Sequence, residues 1–183
     1  ERVQLTDARA MLLFMLYKLV ANGEFVSEFS SDKICYFLQR FGAKEHFKLD
    51  YKPNFYGPYS GKVKYVINYL NGSYIMGYSS MDKKPFETLD LVSDGFEKVE
   101  GYILSKPELV EIVNRTELFL DGFYSEFALE LLSTVDYISL NKDTFDLEII
   151  KSELEGWSER KRTLFSNDRF LNISINHLKE HFG

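Results

Sequence analysis

The chain has 183 residues, 45% of them apolar and 16% aromatic, with 28 acids against 22 bases and a single cysteine. Such a length fits one domain, the aromatic content excludes a disordered tail, and a net charge of -6 argues against a protein that wraps duplex phosphates with its whole surface. One cysteine can neither staple a domain nor build a cysteine-rich zinc site, which points to a reducing, cytoplasmic setting.

The sequence starts at Glu1 rather than at a methionine, as a piece of a longer chain would, and it shows no internal repeat or linker. Residues 1–183 are therefore expected to form one domain. Thr6 can cap a first helix running to Asn22-Gly23, and its apolar residues surround it, so it should be central. Its apolar stretch, Ala10–Tyr17, is far short of the roughly 20 residues that cross a bilayer, so no membrane span is expected. Ile34, Phe37, Leu38 and Phe41 repeat at helical spacing in a second helix that Gly42 ends. Phe47–Tyr51 alternates like a short strand, and residues 52–59, with two prolines and a glycine, read as a structured loop. Val63, Val66, Ile67 and Leu70 mark another helix up to Gly72. Ser73–Ser79 and Phe86–Val92 read as the strands of a hairpin joined by Asp82, Lys83, Lys84 and Pro85. Further helices are predicted over Asp94–Leu104, Pro107–Leu120, Ser125–Leu140, Asp143–Leu154 and Asn167–Phe182, with Pro107 suited to a first turn. The expected fold is α+β and predominantly helical, a compact helical domain with a small antiparallel hairpin or short sheet.

Charge is unevenly spread. Between Glu108 and Glu155 there are 12 acids and only Arg115, Lys142 and Lys151 as bases, so this segment alone is more negative than the whole protein. Such acids either solvate amphipathic helices or steer the approach of a basic partner.

Reactive motifs are sparse. Ser60 lies directly against Gly61 and does not fit a nucleophile elbow, and no phosphate-binding glycine loop occurs. His177-Leu178-Lys179-Glu180-His181 has the spacing of a zinc pair, but a fraying last turn holds metal geometry poorly, so no metal and no cofactor are expected. Cys35 falls between Ile34 and Tyr36 and reads as a small buried hydrophobe. No catalytic residue emerges, and the chain is expected not to be an enzyme. Two constellations could bind a partner. Tyr56-Gly57-Pro58-Tyr59 concentrates rigid rings, which either anchor a partner or fold back over the core. Trp157 is followed by Arg160, Lys161 and Arg162, which either form a contact patch or pair with neighbouring acids.

In order and spacing, Leu5-Thr6-x-x-Arg9-Ala10, Lys33-Ile34-Cys35-Tyr36-Phe37-Leu38-Gln39, Tyr56-Gly57-Pro58-Tyr59, Leu129-Glu130-Leu131-Leu132-Ser133-Thr134-Val135 and Trp157-x-x-Arg160-Lys161 together resemble the C-terminal domain of DarG antitoxins. The Lys33–Gln39 helix and the Tyr-Gly-Pro turn also resemble the wider SocA-like (Panacea) antitoxin domain. The resemblance implies a partner, a DarT-like toxin that uses NAD to ADP-ribosylate single-stranded DNA, and a module that neutralises it without a catalytic site of its own. Tyr56, Pro58, Tyr59, Glu126, Glu130, Trp157, Arg160 and Lys161 are the candidate contact residues. The acidic segment suggests mimicry of single-stranded DNA, and blocking of the NAD pocket is the rival mechanism. Direct nucleic-acid binding by the chain is not expected. The alternative function is a nucleic-acid-binding regulator or adaptor acting through Arg160, Lys161 and Arg162.

Overall fold

Thr6 accepts a hydrogen bond from the Arg9 amide and opens α1 (Asp7–Ala21), in which every residue from Ala10 to Leu16 is buried. A helix buried on all sides must be enclosed by others, and α1 packs against α2 (Glu28–Leu38), α5 (Phe96–Leu104) and α6 (Pro107–Leu120). The computed structural model describes residues 2–78, 84–165 and 167–183. Between α2 and α5 come a kink at Gln39–Ala43, where Gly42 takes a positive φ and breaks the helix, then α3 (Lys44–Phe47), β1 (Lys52–Asn54), β2 (Gly57–Tyr59), α4 (Val63–Leu70), β3 (Ile75–Met76) and β4 (Asp90–Leu91). After α6 the chain continues through α7 (Glu126–Lys142), α8 (Leu147–Trp157), α9 (Glu159–Leu164) and α10 (Asp168–Phe182). The result is the expected helical α+β architecture, with β1 and β2 forming one antiparallel pair and β3 and β4 another.

Most predicted helices are found within a few residues of their expected limits, and Pro107 does open α6. The differences have local causes. Phe47–Tyr51 is not a strand. Phe47 ends α3, Lys48 adopts a left-handed conformation, and the backbone of Leu49 bonds to the Gln39 side-chain amide at 2.8 and 3.1 Å instead of to a neighbouring strand. The strand pair lies in the segment read as a loop, where Pro53 faces Pro58 and Asn54 faces Gly57. The later hairpin shrinks to two residues per strand because its second arm bonds elsewhere, with the Leu89 amide reaching the Val26 carbonyl at 2.8 Å. Ser79 of its first arm and Asp82 and Lys83 of its connection lie outside the described residues. The helix expected from Asp143 begins at Leu147, capped by Asp146, since left-handed Asp143 closes the preceding helix. Helix α9 escaped the sequence reading because it spans only six residues, and the Ser158 side chain caps it by accepting from the Lys161 amide.

Helix α2 is buried along its whole length although it carries Glu28, Ser30, Ser31, Asp32 and Lys33. Buried polar groups need partners, and here each neighbouring element supplies some. Ser27 and Ser30 form a reciprocal capping box. Toward its other end, the Tyr36 hydroxyl donates to Asp136 of α7 at 2.6 Å, and Arg40 donates to both oxygens of the same carboxylate at 2.8 and 3.1 Å. Burial and the adjacent carboxylate push the Tyr36 hydroxyl well above its usual range, so it stays protonated as a donor.

Candidate functional site

Asp32 and Lys33 are consecutive on α2 and each is only 1% exposed. Lys33 Nζ donates to the Pro58 carbonyl at 2.6 Å, which fastens the β1–β2 hairpin to the helix. Asp32 Oδ1 accepts from the Ser60 hydroxyl at 2.6 Å, just beyond that hairpin. Asp32 Oδ2 is buried and has no hydrogen-bond partner. Burial raises the Asp32 carboxyl above its ordinary value, and burial lowers the Lys33 ammonium, each opposed by the charge of the other. Both residues line a cavity of about 160 Å³ whose walls include Phe29, Tyr56 and Tyr59. The cavity thus brings a buried carboxylate and a buried ammonium beside aromatic rings.

The hairpin fits only because residue 57 is glycine. Its φ is +105°, and a Cβ there would lie 2.7 Å from Thr134 Oγ1 and 3.2 Å from Lys33 Nζ. Gly57→Ala is therefore expected to cost about 2 kcal/mol or more through backbone strain and displacement of these two groups. Chemical denaturation measures this directly, and a loss below about 0.5 kcal/mol would mean that the hairpin adjusts freely.

Helix α9 closes the other side. Arg160 and Lys161 both donate to Glu130 Oε2 of α7, Lys161 at 2.8 Å. Arg160 also lies over the rings of Tyr56, at 4.7 Å, and Phe55. Trp157 Nε1 donates to the Asn54 carbonyl at 2.8 Å, so the end of α8 grips the hairpin tip.

The structure thus brings Tyr56, Pro58, Tyr59, Glu130, Trp157, Arg160 and Lys161 into one network. It does not set them all on a surface. Pro58, Glu130 and Lys161 are buried, with Lys161 0% exposed. They cannot offer themselves to a partner, because the hairpin carbonyl and the ion pairs occupy them inside the fold. Tyr56, Tyr59, Trp157 and Arg160 are half-buried, and Glu126 is exposed at the start of α7. Glu126 is held above the usual carboxylate range by partial burial and by nearby Glu24. Phe55, exposed at 53%, stands at the hairpin tip and was missed by the sequence reading. It lines a groove of about 570 Å³ together with Glu153 and Trp157. Asp32, Lys33, Arg40 and Asp136, which tie α2 to its neighbours, were not singled out from the sequence either. The signal available was charge set inside apolar helical runs, Asp32-Lys33 before Ile34–Leu38 and Asp136 after Leu131–Val135.

Cys35 is fully buried, and burial raises its thiol well above the ordinary value. No helix among the described residues is long and apolar enough to cross a membrane.

No protein-family profile matches the chain. Over 160 residues, 87% of its length, it is 29% identical to a DNA ADP-ribosyl glycohydrolase of Thermus aquaticus. Over 149 residues it is 21% identical to the protein of the same name from Mycobacterium tuberculosis, and equally to that from Mycobacterium bovis. The aligned part spans less than half the length of these relatives, 43% and 42%. The expectation that the chain is not an enzyme is corrected by this finding, since relatives aligned over most of it carry an enzyme's name. That expectation rested on the sparseness of reactive motifs, and a motif search sees only sites whose residues follow a known local spacing. Over most of its length, then, the chain is similar to proteins named DNA ADP-ribosyl glycohydrolase.

Proposed function

We propose that this chain is the part of a DarG-type DNA ADP-ribosyl glycohydrolase and antitoxin that holds a DarT-like toxin and covers its substrate-binding surface. The exposed acids of α6, α7 and α8 stand in for the phosphates of single-stranded DNA, and exposed rings such as Phe55 and Phe127 stand in for its bases. A protein that binds single strands offers a positive groove with stacking positions, and both features of the mimic answer it.

The observation that carries this reading is the disposition of the acids. Of the 12 between Glu108 and Glu155, only Glu130 and Asp136 are buried. Glu108, Asp121, Glu126, Asp143, Glu148 and Glu155 are exposed and make no ion pair among the described residues. Acids kept only to balance local bases would be paired, whereas unpaired ones project their field outward. Of the basic run, Lys161 is buried and Arg160 is committed to Glu130, which leaves only Arg162 exposed for a nucleic acid.

The test mixes the purified chain with a DarT-like toxin, follows co-elution, and adds a single-stranded oligonucleotide as competitor. A complex that the oligonucleotide dissolves supports the proposal. Absence of a complex overturns it, and a complex that binds oligonucleotide at the same time replaces groove mimicry by a block at the NAD pocket.

A further inference from the structure

The last two turns of α10 carry His177, Glu180 and His181 at i, i+3 and i+4, a spacing that gathers side chains on one helix face. One donor atom from each of the three lies within 4.8 Å of the other two. Nothing in the toxin-binding reading uses them.

His177 is held as a metal-binding imidazole is held. Its ring stacks between Phe119 and Phe123, with centroids 4.5 and 4.3 Å away. Its Nε2 lies 2.6 Å from the Phe119 carbonyl oxygen. A carbonyl can only accept, so Nε2 carries the proton and the lone pair stays on Nδ1. A backbone carbonyl behind one ring nitrogen is the usual device that fixes the tautomer and raises the basicity of the other.

Of the remaining donors, the His181 ring rests edge-on against Phe119 and His177, with centroids 5.0 and 4.8 Å away. Glu180 and His181 are exposed, and their side chains make no ion pair or hydrogen bond among the described residues. Fraying, the objection raised by the position of the motif in a last turn, is countered by Phe182. Its ring packs against Phe41 and Phe119 at 5.2 and 5.4 Å and anchors the end of the helix. The negative end of the helix dipole also favours a cation there.

We propose that His177 Nδ1, the Glu180 carboxylate and a His181 ring nitrogen bind one late first-row divalent cation. Zn²⁺ is the natural fit for two imidazoles and a carboxylate, with water as the fourth ligand. All three ligands come from α10, and the hydrogen bond from His177 to Phe119 joins the site to α6.

Calorimetric titration of the metal-free chain with Zn²⁺ and the absorption spectrum with Co²⁺ test this, together with thermal unfolding. The expected result is one equivalent bound with the spectrum of a tetrahedral or five-coordinate site. At a hundredfold excess of free Zn²⁺ over its Kd, the unfolding midpoint should rise by about 5 °C or more. His181→Asn and Glu180→Gln should each weaken binding about tenfold or more, with the metal-free midpoint little changed, while His46→Ala, a change at the third histidine, which faces Asp7 from α3, leaves binding intact. Absence of saturable binding overturns the proposal, as does binding that survives both α10 substitutions.

Discussion

Glu130→Ala is expected to destabilise the protein by about 3–5 kcal/mol, lowering the thermal midpoint by roughly 10 °C. The reason is the company this carboxylate keeps. Its Oε2 is the acceptor for both Arg160 and Lys161, and Lys161 has no exposed surface on which to regain water. Deleting Glu130 strands an ammonium in the interior, which costs far more than the ion pair itself contributes. Burial already lowers the Lys161 pKa, and Glu130 opposes that lowering. Without Glu130 the lowering deepens, so the unfolded chain binds the proton more tightly than the folded one. Stability of the variant must then rise with pH from neutrality toward 10.5, the ordinary lysine value. Urea denaturation at a series of pH values measures both effects. Glu130→Leu combined with Lys161→Met should recover most of the loss, since a buried ion pair replaced by apolar groups of like size is close to neutral. By contrast, Lys52→Ala breaks an exposed pair with Asp50 and should leave the midpoint unchanged. A Glu130→Ala protein as stable as the parent would mean that water reaches Lys161.

The same contrast explains how much of the molecule was legible in its sequence. Helices with regular apolar spacing, such as α4 and α6, could be placed because their pattern records a single buried face. Helix α1 could be placed at the centre because its apolar residues leave no polar face. The hairpin was hidden for a different reason. Its strands contain prolines and a glycine, residues that ordinarily mark loops, and it is held by partners distant in sequence, Lys33 and Trp157. Residue type singled out Tyr56, Trp157 and Arg160, which the fold gathers around the hairpin. It could not tell that Glu130 and Lys161 meet each other rather than a partner, because charge alone does not reveal which face of a helix is enclosed. The sparse reactive motifs likewise gave no access to the enzyme name that the relatives carry.

The second large effect concerns the toxin complex. If exposed acids guide the chain onto a basic groove, association should be fast at low salt. The on-rate should fall by about tenfold or more as ionic strength rises from about 0.01 M to 0.1 M, where the screening length shrinks from about 30 to 10 Å. Glu126→Gln, Asp143→Asn, Glu148→Gln and Glu155→Gln in one chain should lower the low-salt on-rate by a similar factor and flatten its salt dependence. These side chains are exposed and make no ion pair among the described residues, so the quadruple variant should keep its fold. Dissociation should change less, because steering acts on encounter, whereas the rings and the groove beside Phe55 and Trp157 govern how long the partners stay together. Phe55→Ala provides the converse, a faster off-rate with a nearly unchanged on-rate. Stopped-flow mixing at several salt concentrations separates the two. An on-rate indifferent to salt and to the four neutralised acids would remove DNA mimicry as the mechanism, since no arrangement of unscreened charge can guide a partner without leaving that signature.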